Sequence, residues 1–413
     1  MMGFIRKYYQ EFIVVSVFLI AAFGFNVYRV QSDGLQYYAF LEKMLHIPQP
    51  ESSAAALEGA FFFQAGCAFF YAPFYLAAYA IERLLGVYPD FNGITLRQIA
   101  INLAANVYMV CSLLLTARIL RRLNLRWIVT SVLCVLFSTT AFASAVIIPS
   151  FNHAVDIFIN TLLFYFVIGF DRKRPVYLYA AGFVYVISVL VRYANFITIF
   201  PIAAYILLGD VFLREGKIKS GAVFCIGKCG VSDFGRLCAG ILATCWIVPL
   251  VFWVYNGDAF AYLGVHGETA TFLERRPALP VYVLKYLLHP LHGLFVWSPV
   301  VMLSVVGLGG MPKRYRLLGI CLIGVCACSV VLYGYVYAWH GGWSFSNRYL
   351  VHLFPVYAIG LSACIGKSPR FVAAIACVLT VYSIFLFFNW YLGVVHGEFG
   401  TVCDMPILLQ FFP

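Results

Sequence analysis

Four polar stretches interrupt an otherwise apolar chain, and each carries residue types suited to chemistry. The first is Ser32-Asp33-Gly34-Leu35-Gln36-Tyr37-Tyr38. A carboxylate followed by glycine and paired tyrosines can take a proton from an acceptor hydroxyl or amine while the rings hold a polar substrate. The same pattern serves as a helix N-cap with interfacial tyrosines. The second is Val191-Arg192-Tyr193-Ala194-Asn195. An arginine inside an apolar run costs about 2.5–3.5 kcal/mol on insertion scales, so it pairs or lines a pathway. Its fork suits a phosphate or pyrophosphate, and snorkelling is the plain alternative.

The third stretch runs from Tyr286 through His289-Pro290-Leu291-His292 to Phe295. Two imidazoles with a proline between them make a poor metal pair, but at headgroup level they can donate hydrogen bonds to a phosphate or pack at the interface. The fourth is Trp339-His340-Gly341-Gly342-Trp343-Ser344-Phe345-Ser346-Asn347-Arg348-Tyr349-Leu350. Paired glycines let backbone approach a ligand. Trp339 and Trp343 offer faces for a sugar or prenyl chain, and Arg348 offers a planar cation. An aromatic belt accounts for the tryptophans but not for Gly-Gly or Arg348.

The elements that position these groups follow from composition. Of 413 residues, 63% are hydrophobic and 11% charged, with a mean hydropathy of +0.89. Soluble domains carry about 25% charge, so a water-soluble fold is excluded and an all-α polytopic membrane protein is expected. The net charge is +11, but the basic residues fall in short clusters between apolar runs, as in cytoplasmic loops. No basic stripe with interleaved aromatics suits nucleic acid.

Most of the 13 cysteines sit in apolar runs as small hydrophobes. Cys225 and Cys229 form a CxxxC without a partner pair, a weak metal signal. Cys67 and Cys403 are the two expected to face an oxidising compartment, and nothing in the sequence pairs them.

Charge also decides the span count. Residues 61–85 are long enough to cross, but crossing would split the later basic clusters, such as Arg118/Arg121/Arg122/Arg126 and Lys367/Arg370, from Arg6 and Lys7. The positive-inside rule therefore makes 61–85 an interfacial helix. Residues 175–208 have basic loops on both sides and so enter and leave by one face. As helix the segment rises about 51 Å, short of the roughly 60 Å of two full crossings. Two short helices with a polar tip at Arg192–Asn195 are predicted.

The expected total is about 11 membrane segments in one integral-membrane domain, 1–413. The N-terminus begins an uncleaved first span from the cytoplasm. Three outer loops are expected: 31–97 with interfacial amphipathic helices, 255–292, and 339–348.

These stretches, with Phe63-Gln64-Ala65-Gly66, Ala72-Pro73-Phe74-Tyr75, Pro149-Ser150-Phe151-Asn152-His153-Ala154 and His292-Gly293-Leu294-Phe295-Val296-Trp297-Ser298-Pro299, resemble in order and placement the bacterial GT-C class membrane glycosyltransferases. The similarity is to the dolichyl- or polyprenyl-phosphate-mannose mannosyltransferase-like proteins in particular. It implies a GT-C-like fold in the inner (plasma) membrane with the site facing the periplasm or outside. It implies a polyprenyl-phosphate sugar donor, and a glycan, lipid or protein acceptor among membrane lipids.

Asp33 matches the catalytic acid of that family, although several relatives carry two adjacent acids where Ser32 precedes Asp33 here. The expected roles are Asp33 as base, and Arg192, His292 and Arg348 on the donor phosphate. Tyr37, Tyr38, His153, Trp339 and Trp343 are expected to contact substrate, without cofactor or metal. A transporter or flippase of a polyprenyl-linked sugar or glycan is the alternative from another class. Such proteins often show internal repeats and midplane sites, and no repeat is visible here.

Overall fold

The computed structural model describes residues 2–30, 33–45, 66–86, 94–170, 174–214, 228–256, 279–335 and 345–392. These residues form helices and no strand. In chain order they are α1 (Met2–Phe25), α2 (Asp33–Met44), α3 (Gly66–Leu85), α4 (Leu96–Arg122), α5 (Ile128–Ser138), α6 (Thr140–Val146), α7 (His153–Gly169) and α8 (Val176–Val191). There follow a 3-10 turn (Tyr193–Thr198), α9 (Ile199–Arg214), α10 (Lys228–Leu242), α11 (Ile247–Asn256), α12 (Leu279–Leu288), α13 (Leu294–Trp297) and α14 (Val300–Gly309). The chain ends with α15 (Arg316–Tyr335), a 3-10 turn (Arg348–Leu353), α16 (Phe354–Lys367) and α17 (Pro369–Tyr391).

Six segments are long and apolar enough to cross a membrane, and α5 with α6 form a seventh that is bent by 72°. Four shorter apolar helices accompany them: α7, α8, Tyr193–Leu208 and α14. The outward faces are apolar, with Phe23 of α1 91% exposed and Phe371, Val378 and Val381 of α17 also exposed. Polar side chains turn inward instead, as with Asn102, Asn106, Ser112 and Thr116 of α4. That inversion suits a lipid solvent, in which apolar surface carries no penalty and polar groups need internal partners.

Local chemistry sets the breaks. The bend between α5 and α6 falls at Thr139, whose hydroxyl donates to the Val135 carbonyl (2.8 Å) and accepts from the Ala141 amide (3.3 Å), ending one helix and capping the next. A single straight span over 127–148 is the simpler expectation from hydropathy, and the Ser138-Thr139-Thr140 run divides it. Residues 293–309 also divide, because Pro299 has no amide to continue α13 and instead starts α14.

Residues 175–208 form two short helices with a tip. The 16 residues of α8 rise about 24 Å, less than a bilayer core. The chain turns at Arg192–Asn195, and α9 returns along α15, bringing Pro201 against Gly324. Helix α3, within 61–85, contains Pro73 and is not among the helices apolar enough to cross.

The bundle has two ends. At one, Glu11 of α1 pairs with Arg121 at the close of α4, and Arg122 lies over the rings of Tyr165 (3.9 Å) and Tyr177 (5.6 Å). This basic end also gathers the turns after α4, α14 and α16. The other end collects the start of α2, the 149–153 turn and the Arg192 tip.

Candidate active site

Contacts join the stretches singled out in the sequence into one cluster. Asp33 opens α2, and its side chain lies outside the described residues. Its neighbour Gly34 sits so close to the 149–153 turn that an added Cβ would stand 2.1 Å from the Ser150 Oγ. Only glycine permits that approach, so the first turn of α2 is seated on this turn.

Helix α3 braces the same place. The Tyr71 hydroxyl stands between the carbonyls of Pro149 (3.0 Å) and Phe151 (2.6 Å). At its start, Gly66 packs on the backbone of Leu190 and Val191, one step before Arg192, where an added Cβ would fall 2.5 Å from the Leu190 carbonyl.

Arg192 is buried, and its Nη1 donates to Asp156 Oδ2 (3.1 Å) and to the Tyr349 carbonyl (3.1 Å). The other Asp156 oxygen accepts from Asn160 (2.8 Å) and Asn195 (2.7 Å). Asp156 is wholly buried, which a carboxylate tolerates when it is paired and hydrogen-bonded in this way.

The Arg192 guanidinium also lies 5.0 Å from the Tyr333 ring centre and 5.2 Å from that of Tyr349. These two rings stack at 5.0 Å and 7°. Arg348 lies over the far neighbours, 5.8 Å from Tyr349 and 5.4 Å from Phe151. Tyr349 is thus shared by two guanidinium groups.

His153 completes the group. It stacks obliquely near Phe151 at 5.9 Å, is 3% exposed, and has no hydrogen-bond partner on either ring nitrogen among the described residues. Both arginines act on it electrostatically. A buried imidazole with two unmet nitrogens beside two cations is suited to a polar, anionic visitor.

His292 enters by a different route. It is buried, with its ring 6.5 Å from that of His289 and nearly parallel to it. On either side of it in sequence, the Tyr286 hydroxyl donates to Asn347 (2.7 Å) and the hydroxyls of Ser298 and Ser346 meet at 3.1 Å. The His289–His292 segment is therefore fastened at both ends to the residues preceding Arg348. Burial, and then Lys285, hold the His289 imidazole below its ordinary pKa, so the neutral ring accepts from the Leu291 amide at 3.3 Å. Ser346 has a positive φ of 52°, a strained setting for a non-glycine residue and one that gathers at functional sites.

Tyr37 and Tyr38 are buried rather than belt-like. Tyr38 meets Tyr75 edge-on at 5.7 Å. Burial, and then Glu42, raise its hydroxyl well above the ordinary range, so it stays protonated. Beneath it, Arg97 of α4 reaches Glu42 of α2 (3.5 Å), Glu82 of α3 (3.0 Å) and the Tyr75 hydroxyl (2.8 Å). Two buried carboxylates share one guanidinium. Burial pushes Glu42 above the usual carboxylate range despite donors from Tyr75 and Arg97. This clamp ties α2 to the bundle and so sets where Asp33 begins.

The structure thus brings together the Gly34 end of α2, His153, Arg192, Arg348 and, through its anchors, His292. Trp339, Trp343 and Cys403 lie outside the described residues, whereas Cys67 is buried in α3. Among the described residues no three His, Cys, Asp or Glu side chains form a metal-holding group. Sequence reasoning missed Asp156, Glu42, Arg97 and the two α3 tyrosines. The signal for Asp156 was present: an acid in an apolar run next to a separate intramembrane arginine calls for a pair.

No family model matches the sequence, and no curated protein matches it. Among solved structures, the Archaeoglobus fulgidus oligosaccharyltransferase, determined in complex with zinc and sulfate, is similar over 91% of this chain and 52% of its own. The TM-score is 0.48 and the identity 12%. The chain therefore spans about half the length of that protein, and a likeness of this degree assigns it neither activity nor substrate.

Proposed function

We propose that this protein is a membrane glycosyltransferase that moves a hexosyl or pentosyl unit from a polyprenyl-phosphate donor to a glycan, lipid or protein acceptor. Asp33 accepts the proton of the acceptor O–H or N–H. The freed lone pair attacks the anomeric carbon from the face opposite the phosphate, inverting it. The C–O bond to phosphate breaks, and the polyprenyl phosphate departs with the electron pair. Arg348 and His292 receive that charge, and such preorganised donors matter most where water is excluded.

Arg192, engaged by Asp156, supports them by holding the Tyr349 carbonyl and ring. Tyr37, Tyr38, His153, Trp339 and Trp343 contact the substrates. By the positive-inside rule, the basic end faces the cytoplasm and the site faces the periplasm or outside.

The observation that carries this reading is the His153 environment: a buried imidazole without a hydrogen-bond partner among the described residues, within the electrostatic reach of two arginines, with the acid-led helix α2 seated on the adjoining Ser150. A test uses proteoliposomes with a radiolabelled polyprenyl-phosphate sugar. Asp33→Asn should lower transfer by about 10²–10⁴-fold, the usual worth of a general base, while donor binding stays near wild type. Unchanged transfer in that variant would remove Asp33 from its role. Movement of the donor between leaflets without glycosylated product would instead make the protein a transporter.

A further inference from the structure

At the end of the bundle opposite the candidate active site lies a cavity of about 610 Å³. It is formed by three turns that helix packing brings together: the one after α4, the one after α14, and the close of α16. Its volume falls within the ~300–1,000 Å³ typical of small-ligand sites.

Its wall holds two cations, Arg126 and Lys367, and two further polar groups, Asn124 and Ser362, with Trp127 beside them and no Asp or Glu among the described lining residues. Lys367 is folded inward: its Nζ lies where a side chain on Gly310 would begin, 1.6 Å from an added Cβ. Ser362 is 1% exposed, and among the described residues its Oγ has no hydrogen-bond partner. An oxygen-rich ligand in the cavity would give that hydroxyl a partner. Asn124 adopts a positive φ of 55°, which carries the chain from the last turn of α4 directly to Arg126 and Trp127.

We propose that this cavity is a phosphate-ester site, separate from the transfer site and independent of the reading given to it. Arg126 and Lys367 neutralise the phosphate, Ser362 and Asn124 donate to its oxygens, and Trp127 covers the neighbouring ester. The cavity opens where α5 and α17 begin and α16 ends, at the ends of segments long and apolar enough to cross a membrane. An anionic glycerophospholipid can supply this chemistry, and so can a free phosphate ester.

The test compares the full chain with an Arg126→Gln/Lys367→Gln double variant. Arg314→Gln/Arg370→Gln, which removes the same charge outside the cavity, serves as control. In native mass spectrometry from neutral detergent with phosphatidylglycerol or phosphatidylcholine added, the wild type and the control should retain phosphatidylglycerol. The cavity variant should lose it by about tenfold, and phosphatidylcholine should distinguish none of the three.

Sodium phosphate and glycerol 3-phosphate, added without lipid, are then scored by the thermal midpoint. A cavity-dependent rise assigns a free ester as the source, and a response to phosphatidylglycerol alone assigns a headgroup. Because both cations are exposed, the double variant should keep its ligand-free midpoint, and Arg126→Lys/Lys367→Arg should restore retention. Equal loss in the cavity and control variants, or no loss in either, would overturn the proposal.

Discussion

The two ends of the bundle handle charge to different depths. At the site end, Asp156, Arg192, Glu42 and Glu82 are all sunk to 5% exposure or less. Each is held by a counter-ion, and the arginines of these pairs, Arg97 and Arg192, also lie against tyrosine rings. At the basic end, Arg121 keeps 28% of its side chain in contact with solvent while pairing with Glu11. Arg122 spreads across the Tyr165 and Tyr177 rings and donates to the Tyr165 hydroxyl at 2.7 Å.

Glu11 is itself buried at 5% exposure, so the ends differ on the arginine side of the pair, where more water weakens the attraction. A charge at the very end of the bundle can remain wet on one side of its pair. A charge carried to membrane depth needs partners fixed by the fold.

The largest expected effect breaks the deepest pair. Asp156→Ala leaves Arg192 buried without its carboxylate and should cost about 3–5 kcal/mol, as broken buried pairs do. Thermal unfolding in detergent should show a large drop in midpoint. An Asp156→Leu/Arg192→Leu variant should recover much of it, because no lone charge remains. A small drop in the single variant would erase the contrast between the ends.

Next comes Arg97→Met, which leaves Glu42 and Glu82 facing each other. Arg97 is partly exposed, so a loss of about 1.5–3 kcal/mol is expected, the range for hydrogen bonds to charged groups. Transfer should also fall as α2 loosens. Preserved transfer would separate the clamp from the placement of Asp33.

A pH series sharpens the same point. Burial raises the Glu42 carboxyl above its ordinary value, so the fold favours its protonated form. That contribution is fully present below the unfolded carboxyl pKa of about 4.3 and is lost as pH rises through the folded value. Wild-type midpoints should therefore decline over that window, and Glu42→Gln should flatten the decline. An identical profile in both proteins would reassign the titration.

The smallest effect belongs to the basic end. Arg122→Lys forfeits the planar stacking on two tyrosines, worth about 0.5–1 kcal/mol at exposed sites. A loss several times larger would mean that this end is as tightly built as the other.

Much of this architecture was legible in the chain. The tip at Arg192–Asn195 followed from segment length between two basic loops. The breaks at Thr139 and Pro299 were less visible, because a hydropathy average does not register a hydroxyl that caps or an amide that is missing. That Arg192 needs an acid was legible, but the register that joins it to Asp156 was not. Asp156 lies 36 residues away, and nothing in either local pattern names the other. The seating of Gly34 on Ser150 was hidden for the same reason.

Membrane residence and the all-helical, apolar character of the elements were determined by the sequence alone. Hydropathy and charge act through the solvent, and each segment answers to lipid or water without needing a partner. Tertiary structure decided which acid neutralises Arg192, that one guanidinium serves both Glu42 and Glu82, and that His153 stands beside Arg192 and Arg348. Those outcomes depend on distances between helices, and such distances exist only once close-packed elements have settled against one another.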